Sequence, residues 1–312
     1  MTNNFSPTSV LSVDAVEKLS ISPMNQKNDD ESVSSYEESA PYGITESVDE
    51  TINVDTLDIY YHMKHVQTNF VGPKTYTPDF PSSSYRRHLV KWMSDTGEKC
   101  ELSSTTIYTS VLFLDKLMRE DHVPRTQLRF YAAVCISLAA KFEEAEELCP
   151  TTPEFLRATK LANDGITSAC FLKGEMTVVK LLNYKLRAVT PSHITRYFLA
   201  KGVIFENDVY QSSKNPQKQQ SPNSKLISRM KKYILFFCNL SLQDYTFQRY
   251  LASQLACAIV MASRASLKIK PLWRPELERL SGYEAFEIEP IFAHLWRYYE
   301  EQFPCHNMES FN

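Results

Sequence analysis

Glycine is scarce in this sequence, seven residues in 312, so tight hairpins that need left-handed backbone at their turns are few. There is no GxGxxG, no GxxxxGK[ST], no HExxH and no GxSxG. The phosphate-cradling, zinc-protease and nucleophile-elbow chemistries that rest on those spacings therefore have no foothold. No CxxC occurs either. The seven cysteines, at 100, 135, 149, 170, 238, 257 and 305, are odd in number, and Cys135, Cys238 and Cys257 sit inside apolar helical runs. They read as buried thiols in a reducing compartment, which speaks against a disulfide framework or a zinc site. No uncharged apolar run approaches the roughly eighteen residues of a membrane span. The start, MTNNFSPTSVLSVD, lacks the basic stretch and apolar core of a secretory signal. Cationic excess is missing as well: 34 Lys and Arg face 37 Asp and Glu, for a net charge of -3, which argues against nucleic-acid binding through bulk charge. No nucleophile comes with a base and an orienting group. The expectation is a chain that is not an enzyme, with no cofactor and no metal. The acidic run Glu143, Glu144, Glu146 and Glu147 could hold a divalent cation, but reads more simply as a solvated turn.

What the sequence does have is the run TQLRFYAAVCISLAAKFEE, Thr126 to Glu144. From Leu128 to Ala140 its polar side chains are Arg129 and Ser137, with Tyr131 amphipathic. A helix apolar on nearly every side cannot lie on a surface, where it would expose area costing about 25 cal/mol per Å². It must be a central rod with other helices packed round it. Before it, Ser82 to Met93 and the stretch after Leu102 predict two amphipathic helices, the second capped by Ser103 or Ser104. Pro124 just precedes the rod. Helices at about 153–162 and 167–183 follow it. A second block opens at Thr190-Pro191-Ser192, with helices near 194–199, 230–240, 247–262 and 286–299. Its run Tyr250 to Ala265 repeats the small-and-apolar texture of the first rod.

No segment shows strand alternation, and 207–224 is expected to be a flexible loop. The expected fold is thus all-α, with two lobes, each a bundle of about five helices around a central apolar helix. Residues 1–50 form a disordered tail, 51–190 the first lobe with a preceding helix, 191–302 the second lobe, and 303–312 a short tail.

YRRHLVKWM (Tyr85–Met93), FLDKLM (Phe113–Met118) and QLRFYAAVCISLAAKFEE (Gln127–Glu144) together resemble the cyclin box, and the second block resembles the C-terminal cyclin lobe. The resemblance spans about 50–300. It implies a regulatory subunit that binds a cyclin-dependent serine/threonine kinase as a heterodimer and activates it. It implies a structural ion pair between Arg86 and Asp115, and a kinase interface of Lys141, Glu175, Phe142, Tyr184 and Leu186. A substrate-docking patch for basic-leucine peptides of kinase substrates or inhibitors would fall on Leu89, Trp92, Arg125, Leu128 and Arg129. Here His88 stands where the pattern has an aliphatic residue, and Arg129 where it has a glutamine; an arginine beside a pocket for a basic peptide predicts weakened or altered docking. The nucleus is the expected location, with the cytoplasm also compatible, and no membrane association is expected. The alternative reading is a cyclin-fold transcription or adaptor protein that binds nucleic acid or peptides without activating a kinase. Ser6-Pro7, Ser22-Pro23 and Ser221-Pro222 fit proline-directed phosphorylation.

Overall fold

A computed structural model describes residues 50–72, 83–120, 123–212, 215–220 and 224–304. The expected disordered tail, all three Ser-Pro sites and most of the tail after 303 lie outside these residues. The helices are α1 (Glu50–Val66), α2 (Ser83–Lys99), α3 (Ser104–Arg119), α4 (Leu128–Glu143), α5 (Thr152–Ala158), α6 (Ser168–Leu181), α7 (Pro191–Lys201), α8 (Ser224–Gln243), α9 (Ala252–Ser266), α10 (Pro275–Ser281) and α11 (Ala285–Gln302). They fall into two compact, largely helical units. One comprises 61–193 with 241–252; the other comprises the described residues up to 60, then 194–240 and 253 onward.

In the first unit α4 is the rod: every residue from Ala132 to Ala140 is buried. Its small side chains let α2, α3 and α6 pack closely against it, which is why Ala recurs where a surface helix would carry charge. Helix α3 is nearly as deep, buried from Thr105 to Met118. Its N-terminus is set by Ser103, whose hydroxyl accepts from the Thr106 amide, replacing a bond the first helical turn cannot make for itself. The core between these helices includes Met93, Val111, Phe113, Leu117, Ile136 and Phe171.

The second unit is built on α9, whose residues Leu255 to Ala262 are all buried. An aromatic cluster joins α8 to α11, with Phe237 against Trp296 and Tyr299 and Phe236 against Tyr299 and Phe303. Tyr60 of α1 belongs to this unit: its ring stacks on Tyr197 of α7 at 4.9 Å and its hydroxyl donates to the Ser281 carbonyl of α10.

One expectation is overturned. The stretch 207–224 is not simply a loop, and strands are present: β1 (Val209–Ser212) pairs antiparallel with β2 (Asn215–Gln220) and with β3 (Ile269–Lys270). Strand ladders are made by main-chain groups, whereas the apolar alternation that betrays a strand in sequence arises only where one face is buried. QSSKNPQKQQ has no such alternation to read.

Candidate functional site

Ser137 and Lys141 lie four residues apart on α4 and so share one face of it. Opposite them α6 places Glu175, whose carboxylate takes both oxygens to Lys141 Nζ at 2.7 Å, while Ser137 Oγ donates to Oε1 at 2.7 Å. The arrangement is lopsided in exposure: the Lys141 side chain is 47% exposed and that of Glu175 9%. A buried carboxylate thus holds an ammonium at the surface, with a third N–H still able to donate outward. Gly174 makes this approach feasible. A Cβ there would sit 2.7 Å from Phe130 Cζ and 3.2 Å from a Val134 methyl on α4, so any larger residue must displace either the Phe130 ring or α6 and Glu175 with it.

Phe142 follows Lys141 and is 48% exposed, and Tyr184 is exposed beyond the end of α6. Leu186 differs, being half-buried and packed on the core. Exposed apolar residues of this unit that escaped the sequence reading include Leu148, Leu172 and Met176. Leu172 and Met176, one turn apart on α6, flank Glu175. The signal for them was present, since α6 carries apolar residues on a second face besides that of the buried Phe171 and Val178. Exposed apolar side chains on the elements that carry a partly buried ion pair have the composition of a protein-binding surface.

The acidic run after Lys141 needs a correction. It is not a uniformly solvated turn. Glu144 Oε1 accepts from the Ser103 amide and the Thr106 hydroxyl at the start of α3. Glu143 Oε1 accepts from Thr109 Oγ1, and its Oε2 meets His193 Nε2 at 3.0 Å. These carboxylates tie the end of the rod to α3, and Glu144 also lies where a helix N-terminus favours negative charge. Only Glu146 and Glu147 are exposed. Among the described residues no group of three or more His, Cys, Asp or Glu is placed to hold a metal ion.

Arg86 and Asp115 form a bidentate pair, Nε to Oδ1 at 2.8 Å and Nη2 to Oδ2 at 2.6 Å, with both side chains 1% exposed. Arg86 Nη1 also donates to the carbonyls of Leu242 and Gln243, and Gln248 Nε2 donates to Asp115. Burial by itself would weaken the Arg86 charge, but the adjacent Asp115 carboxylate, with Asp244 and Tyr108 adding to it, outweighs burial and the pKa rises. Of the residues assigned to a docking patch, Leu89 and Leu128 are buried, Trp92 is half-buried, and Arg125 and Arg129 are exposed. The Arg129 guanidinium lies over the Trp92 ring at 5.2 Å and donates to the Thr159 carbonyl. A cation therefore covers the aromatic surface that the patch would offer.

A second buried pair was missed. In the other unit Arg264 of α9 is 0% exposed and has all five N–H groups engaged, by Asp208 and by the carbonyls of Val203, Pro271 and Leu272. Arg274 adds a further bond to Asp208. The reasoning that applies to Asp115 in an apolar helix applies equally to an arginine in MASRASL, since either charge needs a buried partner.

Residues 58–187 match the family model for the cyclin N-terminal domain and 189–310 that for the cyclin C-terminal domain. Among curated proteins, the chain is 26% identical over 220 residues to a Cyclin-D of Ostreococcus tauri, covering 70% of this chain and 56% of that one. It is 28% identical over 241 residues to Cyclin-J of Xenopus laevis, covering 77% and 60%. A G2/mitotic-specific cyclin-A of Drosophila melanogaster is also 28% identical, over 69% of this chain and 38% of the relative. The chain thus spans little more than half the length of the first of these relatives. Among solved structures, a viral cyclin from herpesvirus saimiri aligns with a TM-score of 0.54 at 15% identity, over 77% of this chain and 97% of that one. A chain of the CAK complex of Chaetomium thermophilum aligns with a TM-score of 0.50 at 12% identity, over 82% and 75%.

Proposed function

The chain belongs to the cyclin family, and from that premise we propose that it binds and activates a cyclin-dependent serine/threonine protein kinase as its regulatory subunit, in cell-cycle control. The observation that carries this reading is the half-exposed Lys141 anchored at 2.7 Å by the buried Glu175; Phe142, which follows Lys141, and Leu172, Met176 and Tyr184, on and after the helix of Glu175, are exposed. Lys141 donates to main-chain carbonyls of the kinase, and the surrounding apolar side chains exclude water from those bonds, as in the centre of a protein interface. The contacts are more numerous with the active placement of a mobile element of the kinase, so binding raises the share of that state. The kinase supplies every group that transfers phosphate, and this chain none. The complex works in the nucleus, with the cytoplasm as a second site. Within the family the motifs point to the J type, although identities of 26–28% to J, D and A types set no type apart. Arg129 over Trp92 makes the docking patch a poor site for basic-leucine peptides.

The test is co-purification. Lys141→Ala combined with Glu175→Ala is expected to remove kinase binding while helicity, followed by circular dichroism, stays as in the parent. Full binding by a folded double variant would refute the interface.

A further inference from the structure

From Val209 to Gln243 the sequence contains six Lys or Arg and no Asp or Glu, in a chain whose net charge is -3. Within the second unit this segment ends in α8, where Lys225, Lys231 and Lys232 are exposed and Arg229 is half-buried. Lys225, Arg229 and Lys232 follow one another at helical spacing and form a stripe along one side of α8. Leu235, 45% exposed, lies one turn beyond Lys231 and Lys232, on the flank of the stripe. Two carboxylates near the end of α11, the helix packed against α8, have partners on their own helix. Glu300 accepts from Trp296 Nε1 of its own helix, and Glu301 faces Arg297, also of its own helix. The same chain holds the complementary text. Asn28 to Glu50, NDDESVSSYEESAPYGITESVDE, has eight carboxylates and no Lys, Arg or His, with Val33, Tyr36, Tyr42, Ile44 and Val48 interspersed. It enters the described structure at α1, which is fixed to the second unit by Tyr60 on Tyr197 and on the Ser281 carbonyl.

We propose that residues 28–50 dock along the cationic stripe of α8 in the same molecule, carboxylates on Lys225, Arg229 and Lys232, with an apolar side chain of the segment on Leu235. Reach does not limit this: 23 extended residues span about 75 Å, whereas a unit of this size has a radius of gyration of only about 14 Å. Attachment through Tyr60 keeps the segment at high effective concentration beside α8, so individually weak exposed ion pairs act together. The serines at 32, 34, 35 and 39 stand among the acids, and a phosphate on any of them would add negative charge and tighten the contact.

Carbodiimide coupling, which joins an amine to a carboxylate in direct contact, tests this on the full chain, using a mixture of unlabelled and 15N-labelled protein. Linkages between 28–50 and Lys225, Lys231 or Lys232, within molecules of one isotope, are expected. Their yield should fall severalfold in 0.5 M salt, where screening shortens to about 4 Å. They should disappear in the folded variant Lys225→Glu/Lys231→Glu/Lys232→Glu. Tail linkages spread over other lysines, mixed-isotope linkages at α8, or no tail linkage at all would each overturn the proposal. The unmodified protein alone distinguishes these outcomes if the variant does not fold.

Discussion

At the scale of single residues, two kinds of charged pair have different roles. Arg86–Asp115 and Arg264–Asp208 are sealed from water, so each ion depends on the other and on neighbouring carbonyls for its solvation. Asp115→Ala would leave Arg86 buried without its counter-ion, and a loss of about 3–5 kcal/mol of stability is expected, measurable as a lowered urea midpoint. A loss under about 1 kcal/mol, the range of exposed pairs, would contradict the burial on which this rests. Lys141–Glu175 is instead half open to solvent, so its loss should cost binding far more than stability. The sequence made Asp115 conspicuous because a lone acid in an apolar helix needs a partner. Arg264 carries the same signal, masked because a basic residue near a helix C-terminus looks like an ordinary end-of-helix cation. Thiols behave according to burial: the pKa of Cys238 is pushed up to about 12 and that of Cys135 is also raised, both by burial, while Cys170 is exposed. Iodoacetamide on the native protein should label Cys170 long before Cys135 or Cys238, as peptide mapping by mass spectrometry would show. Early labelling of Cys135 would mean that the rod opens readily.

Among the elements, α4 was the most legible, because an all-round apolar helix has one place to go. The contacts of its last turn were not legible. Glu143 and Glu144 look like surface acids until α3 brings Ser103, Thr106 and Thr109 to them, and that pairing across 34 to 41 residues has no local signature. The hairpin β1–β2 was hidden by its polar text, and α10 by its brevity, seven residues opened by a proline. Gly174 shows how one position fixes the spacing of two elements. Gly174→Ala should destabilise the first unit by about 1–3 kcal/mol through overpacking against Phe130 and, by shifting Glu175, weaken kinase binding further than the stability loss explains. Thermal denaturation together with a binding titration on the folded fraction would separate the two effects. Unchanged stability would mean that Phe130 swings aside at no cost.

For the whole molecule, the twofold recurrence of an Ala-rich rod was readable from composition and spacing. The assignment of residues 241–252 to the first unit was not, because a return of the chain depends on packing that no local window contains. The central claim concerns the face around Lys141, and it is decided by activity as much as by contact. The most direct measurement is a protein kinase assay on the fraction captured from cell extract by the tagged chain. The account predicts phosphorylation of a general substrate by the parent's captured fraction and background levels from the Lys141→Ala/Glu175→Ala variant at equal bait. Equal activity from both, or none from the parent despite a captured kinase, would contradict it.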